Sequence, residues 1–287
     1  MINQDLILKN ISPKKDIIFK RIFGSKGNEG ILKDFLEGIQ ELKIKEVKLD
    51  LATEMLPEFY KGKSSRLDVR TELEDGTTVN VEIQTDMREY SDKRDLGYWS
   101  ELYMNSLTKG KSYEDAKKTI CIWILDGEVY NFEKYHSKWN ITEKDIGLTA
   151  YFSDLEIHVI ELQKFRKLDI IKPAKKEFWL WFIDHTRREL VEMACYNNDQ
   201  VKKAKEEYDK ITADKELMSL IIAEKIDELD ENTRVNRAKR EGIEEGKAES
   251  IIETAKKMIE MGLEIEIIEK ITGLNKTEII KLKEAKD

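Results

Sequence analysis

The sequence predicts an α/β domain followed by an all-helical region, and three observations carry that prediction. The segment 119–127, TICIWILDG, is apolar at nearly every position, as a strand covered on both faces must be. Ahead of it, the segment 66–84, RLDVRTELEDGTTVNVEIQ, alternates apolar and polar residues about an Asp-Gly turn, the period of two that marks a hairpin. Beyond Pro173 no proline occurs, and long Lys/Glu-rich stretches follow.

Taken in order, Ser12-Pro13 is a helix-start pair and Ile17, Ile18, Ile22 and Phe23 recur at helical spacing. Gly24 to Gly30 interrupts that pattern, and a second helix is expected at about Glu29 to Ile39. The stretch 44–51, IKEVKLDL, alternates as a strand, and the hairpin follows it. From Ser91 to Thr108, Leu96, Trp99, Leu102, Tyr103 and Leu107 line one face of an amphipathic helix that Lys109-Gly110 stops. A Tyr- and Lys-rich connection separates TICIWILDG from a last strand, LEIHVIEL, in which Leu155, Ile157 and Val159 alternate with polar neighbours.

This order describes an α/β domain over residues 1–170 and a helical region over 171–287. The aromatic run Phe178, Trp179, Trp181 and Phe182 reads as a docking face onto the α/β core. Val201 to Lys257 reads as a solvated or coiled helix with Gly242 and Gly246 as weak points. Residues 251–285 hold two short apolar-periodic helices joined at Thr272-Gly273-Leu274, the shape of a helix-turn-helix. Its second helix mixes Lys and Glu, so DNA reading, protein contact and simple packing compete there.

At 287 residues the chain is long enough to bury a sizeable core, and 40% apolar with 38% charged residues describes a soluble protein. A formal net charge of -8 argues against a basic coat, so nucleic-acid binding has to be local. The start MINQDLILKN lacks the pattern of a secretory signal, no apolar run reaches the length of a membrane span, and a cytoplasmic protein is expected. Cys121 and Cys195 form no CxxC pair and read as reduced packing thiols, and His136, His158 and His185 show no zinc-ligand spacing.

The hairpin register follows from parity. Its apolar residues are all odd-numbered: Leu67, Val69 and Leu73, then Val79, Val81 and Ile83. A two-residue turn at Asp75-Gly76 sets odd opposite even and mixes the faces, whereas a three-residue loop, Glu74-Asp75-Gly76 with Gly76 left-handed, reunites them. That loop sets Asp68 directly across from Glu82, with Gln84 one step along. Opposed carboxylates repel unless a proton or cation lies between them, and a hard divalent cation such as Mg²⁺ suits the pair. The competing reading is a solvated hairpin face neutralised by Arg66 and Arg70.

Asp68 followed 14 residues later by Glu82-Ile83-Gln84 resembles the D…(D/E)-x-K core of the PD-(D/E)XK nuclease superfamily in a Gln-bearing variant. With SPKKDIIFKRIFG at the start, KRDLGYWSELYMNSLTKGKSY after the hairpin and IIETAKKMIEMGLEIEIIEKITGL in the tail, the chain resembles the recombination-promoting nucleases, the PD-(D/E)XK nuclease family transposases. The resemblance implies a restriction-endonuclease-like core, a central mixed sheet flanked by helices, that hydrolyses DNA with Mg²⁺, or with Mn²⁺ or Ca²⁺ in its place. It implies Asp68, Glu82 and the Ile83 carbonyl as metal ligands, with Asp16 adding a carboxylate or merely complementing its helix dipole. Gln84 stands where the superfamily has Lys; an amide orients water but brings no positive charge.

Arg94 and Tyr98, four apart on one helix, either reach a phosphate or form an ordinary helix edge. The expected partner is DNA, no membrane is involved, and a homodimer is compatible with cutting both strands. The alternative is a catalytically weak or inactive DNA-binding or assembly protein on the same fold.

Overall fold

A computed structural model describes residues 11–49, 69–87, 92–107, 112–147 and 152–284. At its centre is a six-stranded sheet in the order β1-β2-β3-β4-β6-β5. Its strands are β1 (Val47–Leu49), β2 (Val69–Leu73), β3 (Thr78–Gln84), β4 (Thr119–Leu125), β5 (His136–Trp139) and β6 (Leu155–Glu161). The sheet is mixed: β1, β2 and β3 form an antiparallel meander, β4 runs parallel to β3, β6 runs parallel to β4, and β5 returns antiparallel to β6. Every residue of β4 is buried, which is why TICIWIL carries no alternation.

The β2–β3 turn is the three-residue loop that parity demands. Gly76 has φ 84°, its N–H donates to the Leu73 carbonyl at 2.9 Å, and the Leu73 N–H donates to the Thr77 carbonyl at 2.9 Å. The Asp75 carboxylate accepts from the Thr77 N–H at 2.8 Å and closes the turn from outside. Val69 pairs with Val81, Arg70 with Asn80, Thr71 with Val79 and Glu72 with Thr78, all in the expected register.

Two helices, α1 (Asp16–Gly24) and α2 (Glu29–Gln40), cover the face of the sheet that carries Val69, Val79 and Val81. The phenyl rings of Phe19, Phe23 and Phe35 pack in series there, tilted against one another, with centroids 4.6 and 5.0 Å apart. The opposite face is crossed by α3 (Asp92–Ser106), the connection from β3 to β4. After β6 come α4 (Leu162–Arg166), α5 (Lys175–Asp184), α6 (Arg188–Asn197), α7 (Asp199–Ala213) and α8 (Lys215–Glu260).

The aromatic run on α5 docks as its density predicts. Trp179 lies 5.5 Å from Phe23 and 5.8 Å from Phe35, and its indole N–H donates to Asp34 at 2.9 Å. Asn198, before α7, donates to the same carboxylate at 2.8 Å, so helices beyond residue 170 are built onto α2. The first compact unit accordingly runs through Ser219 and a second begins at Leu220.

Two features differ from the sequence expectation. β5 is a four-residue strand inside the Tyr- and Lys-rich connection, with His136 and Ser137 buried and Lys138 and Trp139 exposed, too short to show a period. The charged run is two helices, because Asp214 caps α8 by accepting from the N–H groups of Glu216 and Leu217 at 3.0 and 3.1 Å. α8 then continues through Gly242 and Gly246 unbroken. In the second unit, Ala255 of α8 packs with Ile268 of α9 (Ile265–Thr272) and Ile279 of α10 (Lys276–Glu284). Gly273, φ 75°, makes the turn between α9 and α10.

Candidate functional site

β3 presents two chemically different faces. Val79, Val81 and Ile83 point toward α1 and α2, while Asn80, Glu82 and Gln84 share their face with Cys121, Trp123 and Leu125, their partners in β4. Glu82 is only 8% exposed, so it does not sit on a solvated hairpin face. Gln84, at the carboxy end of β3, is half-buried and donates its Nε2–H to the Asp86 carbonyl at 2.7 Å. The Ile83 side chain is buried on the apolar face. Asp68 lies outside the described residues, as does the Lys109-Gly110 helix stop.

α3 lies over the Glu82 face. Its buried residues, Asp95 and Leu102, are seven apart on the side turned to the sheet. The Tyr98 ring sits 5.8 Å from Trp123, the β4 neighbour of Glu82, and the Trp99 indole donates to the Thr119 carbonyl at 2.9 Å. Arg94 and Tyr98 do share a face: a guanidinium nitrogen donates to the phenol oxygen at 3.3 Å, with the cation 5.3 Å from the ring centre. Asn80, buried beneath this cover, has no hydrogen-bond partner for its Oδ1 among the described residues.

α1 approaches β2 from the other side through the stripe Asp16, Lys20 and Gly24, spaced by four. The site where a Gly24 Cβ would lie is 3.5 Å from Lys20 Cγ and 3.8 Å from Val69 Cγ2, so the stripe faces the start of β2. Lys20 is buried on that stripe, a position no sequence signal marks beyond its spacing from Asp16.

An ion network ties the opening segment to the strand ends. The Asp126 N–H donates to the Gln84 carbonyl at 2.9 Å, and its carboxylate accepts from Lys14 Nζ at 2.9 Å and from Arg166. Lys14 and Arg166 also hold Asp184, the last residue of α5, which accepts from Thr186 as well. Burial works to raise the Asp184 pKa, but the hydrogen bonds of Arg166 and Thr186 and the charge of Lys14 overcome it and hold the carboxyl below its ordinary value. Lys14 thus brings the segment that carries Asp16 to the carboxy end of β3 and β4, where open α/β sheets place their ligands. These partners are up to 170 residues apart in the chain, and nothing in the sequence pairs them.

A second network, with both of its imidazoles buried and Glu156 and Lys118 partly exposed, lies at β5 and β6 on the face that carries Val79 and Val81. His136 Nε2 meets His158 Nδ1 at 2.9 Å, His158 Nε2 meets Glu156 at 2.6 Å, and Glu156 accepts from Lys118 at 2.6 Å. His158 and Lys118 hold Glu156 at a pKa of about 2 against its burial, and burial beside His158, Lys176 and Lys138, partly offset by Glu41, pushes His136 down to about 3. His136 is therefore neutral at neutral pH.

Among the described residues no three His, Cys, Asp or Glu side chains gather as a metal site, and no helix is long and apolar enough to cross a membrane. No curated protein and no solved structure matches the chain. A family model, PD-(D/E)XK nuclease family transposase, matches residues 13–238, a span that holds the whole sheet, α1 to α7 and the first half of α8. With the mixed sheet flanked by helices and Glu82-Ile83-Gln84 at the carboxy end of β3, the chain belongs to the PD-(D/E)XK nuclease family of transposases.

Proposed function

We propose that the protein is a metal-dependent DNA endonuclease that hydrolyses phosphodiester bonds at the carboxy end of β3, within the DNA recombination and mobile-element setting of its family. The observation that supports this reading most is the hairpin register. Val69 with Val81 and three further pairs share a residue sum of 150, which is also the sum for Asp68 and Glu82.

In this reading Asp68, Glu82 and the Ile83 carbonyl hold the cation, and Asp16 adds a carboxylate from α1. These donors are all oxygens, which fits Mg²⁺, or Mn²⁺ or Ca²⁺, and not a thiolate- or imidazole-seeking metal. When bound, such a cation lowers the pKa of a coordinated water and offsets charge on the scissile phosphate. Gln84 has its Nε2 engaged by Asp86, so it offers water its Oε1, an acceptor that orients the nucleophile. Arg94, held beside Tyr98, reaches for a neighbouring phosphate from the edge of α3. Cutting both strands with one site per chain calls for two copies, so a homodimer belongs to this reading.

The test is conversion of supercoiled plasmid. Wild-type protein is expected to nick or linearise it with Mg²⁺, and Asp68→Ala and Glu82→Ala to lose that activity; cutting by both variants at the wild-type rate sinks the proposal. Gln84 favours one second reading, a protein that binds DNA without cutting it. A gel shift that survives Asp68→Ala, with no cleavage by the wild type under Mg²⁺ or Mn²⁺, selects that reading.

A further inference from the structure

β3 and β4 leave the sheet side by side. Gln84 and Leu125 are register partners, and the Asp126 N–H donates to the Gln84 carbonyl at 2.9 Å, so the segments 85–87 and 126–128 start as neighbours. The Met87 side chain closes the gap between them. A Cβ added at Gly127 would lie 2.4 Å from Met87 Cγ and 2.7 Å from its Sδ, closer than side chains approach one another. Gly127 is buried and its φ is not positive, so its backbone conformation admits other residues; it is the Met87 thioether that requires a glycine there. From that seat Met87 also packs against the buried cluster of Leu102, Trp123, Leu125 and Val159.

The peptide that precedes Met87 carries the Asp86 carbonyl, and this oxygen takes the Gln84 Nε2–H at 2.7 Å. An amide has one donating and one accepting end of nearly equal shape. A carbonyl accepts only from the first, so it fixes Nε2 on its side and leaves Oε1 to other partners. We infer that Met87 and Gly127 are positioning residues for Gln84: the thioether seated on the glycine holds the Asp86 carbonyl in place, and the carbonyl holds the amide with Oε1 presented to the attacking water. This rests on the nuclease reading above. A glutamine left free mostly offers water the wrong atom or none, because its side-chain torsions and the amide rotation are then open. The Lys of the superfamily pattern presents three equivalent N–H donors and needs no such aiming.

The experiment uses the full chain and two readouts. Single-turnover DNA cleavage with Mg²⁺, titrated in protein, separates the rate at saturation from the half-saturating concentration. Hydrogen exchange of the Gln84 side-chain amide is followed by NMR on protein labelled with ¹⁵N-glutamine; the chain holds five glutamines, and Gln84→Glu identifies the Gln84 signal by its loss. Gly127→Ala pushes Met87 off its seat. It is expected to slow the saturated rate about 10- to 100-fold, the loss typical of a displacement on the order of 1 Å, with half-saturation held within about threefold. Gln84 amide exchange should speed up about tenfold, the weight of one hydrogen bond. Adding Met87→Ala makes room for the new methyl, which then fills the space that Cγ leaves, and should restore at least about threefold of the lost rate. Gly246→Ala, whose methyl meets nothing within 4 Å, should change neither readout.

A saturated rate for Gly127→Ala within about threefold of wild type, an unchanged Gln84 exchange rate, or no recovery in the double variant overturns the assignment. If Gly127→Ala does not fold, Met87→Ala alone decides: it empties the seat without a clash, and Gln84 amide exchange should again speed up about tenfold, an unchanged rate overturning the assignment. A wild-type chain that never cleaves sinks the nuclease reading instead, and the exchange measurement still reports whether Met87 and Gly127 hold the amide.

Discussion

β3 is buried on both sides, yet its two faces differ in kind. Val79, Val81 and Ile83 meet the Phe and Ile side chains of α1 and α2, whereas Asn80, Glu82 and Gln84 turn toward α3 together with Trp123. Asn80 Oδ1 has no hydrogen-bond partner among the described residues, and burying a polar group so costs roughly 1–3 kcal/mol, so this position is not one that stability alone would select. The difference separates the labours of the sheet: one face holds the fold together, and the other keeps polar groups under α3 and at the strand ends.

The largest effect should come from the apolar face. Phe35 is fully buried, 5.0 Å from Phe23 and 5.8 Å from Trp179, and its removal leaves a cavity bounded by α1, α2 and α5. Phe35→Ala is expected to destabilise the protein by about 3–5 kcal/mol in chemical denaturation. A cost under about 1 kcal/mol means that this face is not the stabilising one and breaks the comparison.

The apolar face also carries polar groups, Thr71 and the His136–His158–Glu156–Lys118 network, and the network makes acid sensitivity the next effect. His158 lies between His136 and Glu156 and meets them through its two ring nitrogens at 2.9 and 2.6 Å. The unfolded chain protonates His136 below its ordinary 6.5, while the folded protein keeps it neutral to about pH 3. Its contribution is thus complete above pH 6.5 and is lost as pH falls toward 3, at about 1.4 kcal/mol per pH unit. Glu156 stays ionised to about pH 2, so its contribution is complete above 4.5 and is lost as pH falls from there, in the same direction. Denaturation midpoints measured from pH 7 to 4 should fall steadily and fall faster below 4.5. His136→Leu should flatten the limb between 6.5 and 4.5, and an unchanged slope contradicts the neutral assignment.

The architecture was legible where period and parity act locally. The odd-numbered apolar set fixed the Glu74-Asp75-Gly76 loop, the unbroken apolar run of β4 announced a strand covered twice, and the aromatic density of α5 announced its docking. The candidate site was legible only in part. Glu82 looks like a solvated residue in an alternating strand, because its cover, α3, comes from a crossover that the strand itself does not encode. Lys20 looks like one more cation on an amphipathic helix until α1 is laid on β2. Lys14 and Asp184 meet across 170 residues, and β5 is shorter than the window any period needs.

The smallest effect bears most directly on why the polar face exists. Asn80 is 1% exposed on the Glu82 face, and its Oδ1 has no hydrogen-bond partner among the described residues. Its neighbour in β4 is the buried Cys121, and the α3 side chains nearby pack as an apolar cluster with Trp123 and Leu102. Leucine has nearly the shape of asparagine, replaces an under-satisfied amide with apolar surface and leaves the strand register untouched. Asn80→Leu is therefore expected to be neutral or to stabilise by up to about 1 kcal/mol, with cleavage or DNA binding as the property at risk. A loss of more than about 2 kcal/mol instead makes Asn80 a structural anchor of the β3–α3 contact, and the polar face then owes its composition to folding as much as its apolar counterpart does.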